Sequence, residues 1–334
     1  MKKKILVLGS SSFSGASLID NLLTENKYLV FGTYRKRKKN YLLPYKHNKN
    51  INFFKNYKID LSKKSHKLLN LVKKIKPNII VDFASICMVN ESWKNPELYY
   101  QINVLSKIKT IQYLSTANFL DKYIYISTPE IFGSSSEYIN EDCDSFKPKT
   151  PYASSKLSFE IFLKNYHKNF QFPLIISRFS NFYGPGQPLY RLIPKLISCI
   201  DGEKKFPLEG NGRSQRNFIY KDDFCNGIKR IILKGKIGKT YHFSGKNFNS
   251  VLDIIKNICK IKSYNQKKLI KKVKRRLGQD FLYKLDCKKT KKQLNWRPVY
   301  TLKSGLEKVL DYHNKYIKKI SVKDMIYQDK NLKK

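Results

Sequence analysis

Negative charge is what this sequence has least of: 25 Asp and Glu stand against 67 Lys and Arg, a formal charge of +42 over 334 residues. It also lacks any apolar stretch close to the roughly 20 residues that a membrane-spanning helix needs. The apolar run after Met1-Lys2-Lys3-Lys4 is cut short by Gly9-Ser10-Ser11-Ser12 and reads as a first strand rather than a signal peptide. The six cysteines show no close spacing and the five histidines form no His-x-x-x-His pair, which excludes a zinc knuckle or a disulfide framework. No metal is expected, and the reducing cytoplasm is the expected location. Gly/Ser-rich or Pro-rich linkers, internal repeats and low-complexity domains are missing too.

The excess of positive charge would ordinarily suggest nucleic acid. Only ten of the 67 basic residues are arginine, however, and the chain is also rich in Asn, Ile, Tyr (23) and Phe (20). These residue types share A/T-rich codons, so base-composition bias acting on a solvated surface accounts for the charge, and no nucleic-acid partner is expected. A non-catalytic, basic nucleotide- or RNA-binding protein is the competing class. A positive field would also speed the arrival of an anionic substrate.

Apolar, β-rich runs at 5–8, 29–32, 51–54, 79–83, 123–127 and 174–177 alternate with helical periodicity at 16–23, 65–75 and 98–117. That alternation predicts an α/β fold with a doubly wound parallel sheet and helices on both faces. After about residue 180 the pattern breaks at Gly184-Pro185-Gly186, where a smaller substrate-binding unit is expected. The expected division is 1–180 with 217–245 for the dinucleotide-binding domain, 181–216 with 246–320 for the smaller unit, and a basic tail at 321–334. The long 98–117 helix has apolar residues on more than one face, which suits a homodimer interface.

The first strand runs into Gly9-Ser10-Ser11-Ser12-Phe13-Ser14-Gly15 and then a helix, a setting in which backbone N–H groups can meet a pyrophosphate. Gly9 permits the turn, Gly15 lets helix and strand approach, and Ser12 holds the place of a middle glycine. The second strand ends in Thr33-Tyr34-Arg35-Lys36-Arg37, without the acid that would bind the ribose hydroxyls of NAD. Arg35 can instead fork onto a 2′-phosphate, which favours NADP, with NAD the alternative. Asp60 and Leu61, after the third strand, are placed near the adenine.

Pro151-Tyr152-Ala153-Ser154-Ser155-Lys156 opens a predicted helix, and the i,i+4 spacing sets Tyr152 and Lys156 on one face. An adjacent ammonium and a cationic nicotinamide favour the phenolate, making Tyr152 a base near neutral pH. With this pair in place the chain resembles the extended short-chain dehydrogenase/reductases, in their NAD(P)-dependent nucleotide-sugar epimerase and dehydratase group. The matching order is the Gly-rich loop, Asp60-Leu61, Phe83-Ala84-Ser85, Asn103, Ser127-Thr128, the Tyr152/Lys156 pair, and the segment from Arg178 to Pro185.

The resemblance implies that Gly9, Ser12, Phe13, Gly15, Arg35, Asp60, Leu61, Phe83, Ala84, Ser85, Asn103, Tyr152 and Lys156 serve the cofactor. It implies that Thr128 and Tyr152 contact the C4 hydroxyl of a nucleotide-diphosphate hexose. It further implies substrate contacts from Ser92, Asn181, Arg191, Arg216 and Arg276, the last in a segment where Leu277 and Gln279 replace the family's Pro and His.

Thr128-Pro129-Glu130 resembles the Thr-x-Glu signature of the 4,6-dehydratases, which serve deoxysugar and cell-surface polysaccharide synthesis, and makes Glu130 the candidate base at C5. Pro129 stands where dTDP-glucose dehydratases carry an Asp that assists the leaving hydroxyl and the GDP-mannose type a Ser; proline can replace neither, which leaves the proton to Glu130 or a bound water, or means that the reaction is not a dehydration. Dehydration is the main expectation and 4-epimerisation the alternative.

Overall fold

A computed structural model describes residues 2–274, 277, 278, 280–317 and 322–327. Arg276 and most of the expected 321–334 tail lie outside the described residues. In chain order the first half forms β1 (Lys3–Leu8), α1 (Phe13–Glu25), β2 (Tyr28–Tyr34), β3 (Phe54–Lys58), α2 (His66–Ile75), β4 (Ile79–Asp82), α3 (Val89–Ser92), α4 (Pro96–Asn103), α5 (Ile108–Leu114), β5 (Lys122–Ser127), β6 (Tyr138–Ile139), α6 (Pro151–Phe170) and β7 (Leu174–Phe179). The second half adds β8 (Asn181–Tyr183), α7 (Leu192–Asp201), β9 (Phe206–Glu209), β10 (Gln215–Tyr220), α8 (Lys221–Lys234), β11 (Thr240–Phe243), β12 (Phe248–Ser250), α9 (Val251–Ile261), α10 (Gln266–Leu269), β13 (Ile270–Val273), β14 (Lys284–Leu285), α11 (Lys288–Leu294) and α12 (Leu302–Tyr316).

Seven strands form one sheet in the order β3-β2-β1-β4-β5-β7-β11, every pair parallel. The order reverses between β1 and β4, so the loops that follow those two strands splay apart and leave a crevice at the carboxyl edge. Both faces are covered. Ile5 and Val7 point to one side and pack with Ala16, Ile19 and Leu22 of α1 and Phe224, Ile228 and Ile231 of α8. Leu6 and Leu8 point to the other and pack with Leu68 and Val72 of α2, Ile111 of α5 and Phe159 and Leu163 of α6. Each such side chain taken wholly out of water contributes about 1.5–3 kcal/mol, which is why these strands read as continuous apolar runs.

The smaller elements gather beyond the carboxyl edge. β10 pairs parallel to β8 and antiparallel to β12, β13 lies along β9, and α7, α9 and α12 close over a separate core around Leu196, Ile255 and Leu306.

Two expectations are corrected. The third strand is not at 51–54: residues Ile51–Phe53 form a 3-10 turn and the strand starts at Phe54. Asn48 and Asn50 tie this turn to the end of α1 through Asp20 (2.8 Å) and the Leu23 carbonyl (2.8 Å), while Ile51 and Phe53 still pack against the core. The apolar run recorded burial, not strand. The single helix expected over 98–117 is broken after Asn103, where Val104 leaves helical geometry (φ −122°, ψ −75°) and a 3-10 turn, Leu105–Lys107, intervenes. That turn directs Lys107 inward onto Asp82.

Candidate active site

A cavity of about 670 Å³ opens along the carboxyl edge of the sheet, between the two halves of the chain. At one end the glycine loop forms its wall. Gly9 adopts φ +85°, and a Cβ there would sit 3.2 Å from the carbonyl carbon of Phe83. Ser12 explains the absent middle glycine: it caps α1, its hydroxyl accepting from Gly15 N–H (3.0 Å) and donating to the Gly9 carbonyl (2.7 Å). The first turn of α1 carries no acidic residue, so its N-terminus faces the cavity with its dipole uncancelled.

At Gly15 a Cβ would lie 2.4 Å from the Gly9 carbonyl oxygen. Gly15→Ala should therefore push α1 off β1, destabilising the fold by about 1–3 kcal/mol and weakening dinucleotide binding. Thermal unfolding and a binding titration check both.

Gly9, Ser12, Phe13, Arg35, Asp60, Leu61, Phe83, Ala84 and Ser85 all line the cavity. Asp60 is held by Ser62, whose hydroxyl and N–H both donate to Oδ1 (2.6 and 3.0 Å). Arg35, Lys36 and Lys38 form the rim beyond the end of β2.

Asn103 is not brought to the cavity. It is fully buried behind the wall, exchanging hydrogen bonds with the Ile86 backbone (2.9 and 3.2 Å) and donating to Ser155 Oγ (2.9 Å), so it fixes the loop after β4 to α6. Ser92 is likewise fully buried and donates to the Val89 carbonyl at 2.6 Å.

The middle of the cavity holds the pair. Thr150 caps α6 and Pro151 occupies its first turn, which delivers Tyr152 and Lys156 side by side into the wall. The Thr128 hydroxyl hydrogen-bonds the Tyr152 phenol. Burial, then Cys87 and Glu130, hold that phenol well above its ordinary value, while Thr128 and Arg191 favour the phenolate. Lys156 Nζ donates to the Ile126 carbonyl at 2.7 Å and lies 4.2 Å from the centroid of the Tyr125 ring. Burial is the largest of the influences that push its ammonium down to about 7. Burial thus holds Tyr152 protonated and brings Lys156 close to its midpoint near neutral pH, so a charge arriving beside them shifts both.

Thr128 also caps the short turn Pro129–Phe132. This turn carries the half-buried Glu130 to the cavity beside Tyr152 and Tyr283, both of which feel its charge. Pro129 is buried at the start of the same turn. At the far end Asn181 Oδ1 accepts from the Tyr283 hydroxyl at 2.6 Å, and Arg191 Nη2 donates to Cys87 Sγ at 3.0 Å. Arg216 is aimed by three carbonyls, those of Gln215 (2.7 Å), Phe281 (3.0 Å) and Asp280 (2.7 Å), with its guanidinium 4.8 Å from the Tyr283 ring centroid.

The sequence reading missed Cys87 and Tyr283. Their only signals are position: Cys87 follows Phe83-Ala84-Ser85 by two residues, and Tyr283 follows Asp280 by three. Among the described residues no cluster of His, Cys, Asp and Glu could hold a metal, and no helix is long and apolar enough to cross a membrane.

The family model described as GDP-mannose 4,6 dehydratase matches residues 6–309, the stretch that holds the glycine loop, the Tyr152/Lys156 pair and Glu130. The chain belongs to this family. Within the dehydratase family and its neighbours it is 30% identical over 321 residues to the dTDP-D-glucose 4,6-dehydratase of Bos taurus, covering 93% of this chain and 88% of that protein. The crystal structure of dTDP-glucose 4,6-dehydratase from Bacillus anthracis, in complex with NAD, is similar with a TM-score of 0.84 at 26% identity, over 94% of this chain and 97% of that one. UDP-glucuronic acid 4-epimerase from Bacillus cereus, bound to UDP-glucuronic acid and NAD, is similar with a TM-score of 0.83 at 29% identity, over 93% and 99% of the two chains. Two reactions therefore share this fold, and the site has to choose between them.

Proposed function

We propose that this protein is a nucleotide-diphosphate-hexose 4,6-dehydratase, an enzyme that oxidises C4, eliminates water across C5 and C6, and leaves a 4-keto-6-deoxyhexose. One observation carries the choice over epimerisation: Glu130 stands at the cavity beside Tyr152, where an epimerase has no proton to move from C5. Residues 1–180 with 217–245 would hold the dinucleotide, and 181–216 with 246–320 the sugar nucleotide.

A bound nicotinamide dinucleotide supplies the hydride acceptor for C4, the donor for C6, and a positive charge beside Tyr152. The residues do the rest. Thr128 orients the C4 hydroxyl, Tyr152 takes its proton, and Lys156 holds the ribose and steadies the phenolate. The C4 ketone acidifies the C5 hydrogen, which Glu130 removes. Because Pro129 has no proton to give, Glu130 passes the same proton to the departing C6 hydroxyl, which leaves as water, and Glu130 then relays a solvent proton back to C5 as C6 is reduced. Asn181 and Arg191 position the hexose and Arg216 the diphosphate.

Mass spectrometry of products from UDP-, dTDP-, GDP- and CDP-hexoses tests the reading. Loss of one water is expected. C4 inversion at unchanged mass would assign the epimerase reaction instead.

For the cofactor, solved relatives carry NAD, but β2 here is followed by Arg35-Lys36-Arg37 with no carboxylate, which supports NADP. Arg35→Ser should weaken NADP(H) binding about 10-fold or more, by the loss of one charge-assisted hydrogen-bonded contact, and leave NAD(H) binding unchanged. Fluorescence titration of the two reduced dinucleotides reads this, and tighter NADH binding by the native protein would reverse the assignment. The exposed Tyr100, Leu105 and Ile161, on the packed α4 and α6 region, support a homodimer through that face, and sedimentation checks it.

A further inference from the structure

Behind the Tyr152/Lys156 pair lies a buried ion pair that no step above uses. Lys107 Nζ is 2.8 Å from Asp82 Oδ2, and their side chains are 1% and 0% exposed. The Tyr123 hydroxyl donates to the same Asp82 oxygen at 2.8 Å, and Ala84 N–H donates to Oδ1 at 2.9 Å. Lys107 also reaches the Ala84 carbonyl at 3.4 Å. Desolvating two such charges roughly offsets their attraction, and an apolar pair would pack as well, so stability alone does not account for them.

Their placement does. Lys107 Nζ and Lys156 Nζ both lie against the Tyr125 ring, 5.5 and 4.2 Å from its centroid, and the Tyr125 hydroxyl donates to the Lys156 carbonyl at 3.1 Å. The charged and titratable groups facing Lys156 are Lys107 from the turn after α4, Asp82 from β4, Cys87 from the loop that follows, Tyr125 from β5, and Tyr152 and Glu160 from α6. Glu160 is itself engaged with Arg178.

We propose that Asp82 and Lys107 are positioning residues for the catalytic lysine, a pair of opposed charges that governs when Lys156 carries its proton. The inference rests on the function proposed above only in assigning Lys156 to catalysis. Burial first and Lys107 next press the Lys156 ammonium down, and Asp82 leads the groups that resist. The two partners therefore act on Lys156 with opposite signs. The pair also hangs the cavity-lining backbone of Ala84 on its carboxylate, so cofactor wall and lysine charge share one support.

The test uses the full chain and four variants: Lys107→Met, Asp82→Asn, the two combined, and Lys107→Arg. Proton-carbon NMR of lysine labelled at Cε, with Lys156 assigned from Lys156→Arg, reads the Lys156 midpoint without need of turnover. A pH–rate profile with dTDP-glucose follows its effect on catalysis. Lys107→Met should raise the midpoint by about one pH unit, Asp82→Asn should lower it by about as much, and the double variant should return close to the native value. The alkaline fall in activity should move with it.

A merely structural pair would loosen the wall in both single variants and move the midpoint the same way. Shifts of equal sign, no shift, or a large shift in the charge-retaining Lys107→Arg would overturn the proposal. Should Lys107→Met fail to fold, the downward shift in Asp82→Asn decides alone. Opposite shifts in a protein that turns over no nucleotide hexose would uphold the control of Lys156 and overturn the dehydratase reading instead.

Discussion

Tyr152→Phe is expected to lower turnover of a nucleotide hexose by about 10²–10⁴-fold, the usual contribution of a positioned acid–base group, while thermal stability and dinucleotide affinity stay near native. The ring keeps its edge contact with Tyr99, 6.4 Å between centroids, and only the hydroxyl is lost. The hydroxyl sits in a wall where burial, Cys87 and Glu130 keep it protonated and Thr128 and Arg191 draw it toward the phenolate. Activity should therefore rise with pH as this proton leaves, and the added charge of bound oxidised cofactor should bring that rise into the working range. The phenylalanine variant should keep residual activity without the acid limb. A fall of less than about tenfold, with the acid limb intact, would show that Tyr152 only fills the wall and that another group takes the C4 proton.

The parts of this site that could be read from the sequence are those whose function is settled by local backbone. Tyr152 and Lys156 are fixed by four residues of helix behind a threonine cap and a first-turn proline. Gly9 and Gly15 are fixed by a turn and a close approach, with Ser12 substituting as a cap. Asn103 and Ser92 lie in segments just as regular, yet their side chains end inside the wall, because the direction they face depends on how α6 packs against the loop after β4. Periodicity predicted six of the seven strands of the first half, without the two-residue β6, but misplaced the third, where side-chain hydrogen bonds from Asn48 and Asn50 impose a turn on an apolar run. Lys107 was the least legible. With only ten arginines among 67 basic residues, one more lysine carries no signal until a broken helix turns it onto Asp82.

Glu130→Gln should separate the two halves of the reaction. The amide keeps the size of the carboxylate and its place in the turn capped by Thr128, but it has no basic oxygen to receive the C5 proton. Formation of the dehydrated product should fall by about 10²–10⁴-fold, while the ketone at C4 still forms. Quenching with borodeuteride should trap a hexose labelled at C4 that retains its C6 hydroxyl. In deuterated water the native enzyme should exchange the C5 hydrogen and the variant should not. The charge of Glu130 is also one of the influences that hold the Tyr152 phenol high, so its removal should let that proton leave more easily and move the acid limb of C4 oxidation to lower pH. A carboxylate that merely decorates the strand end would change none of these. Retained dehydration with unaltered C5 exchange would move the base elsewhere along the cavity, with Asp280, which also acts on Tyr283, the candidate carboxylate.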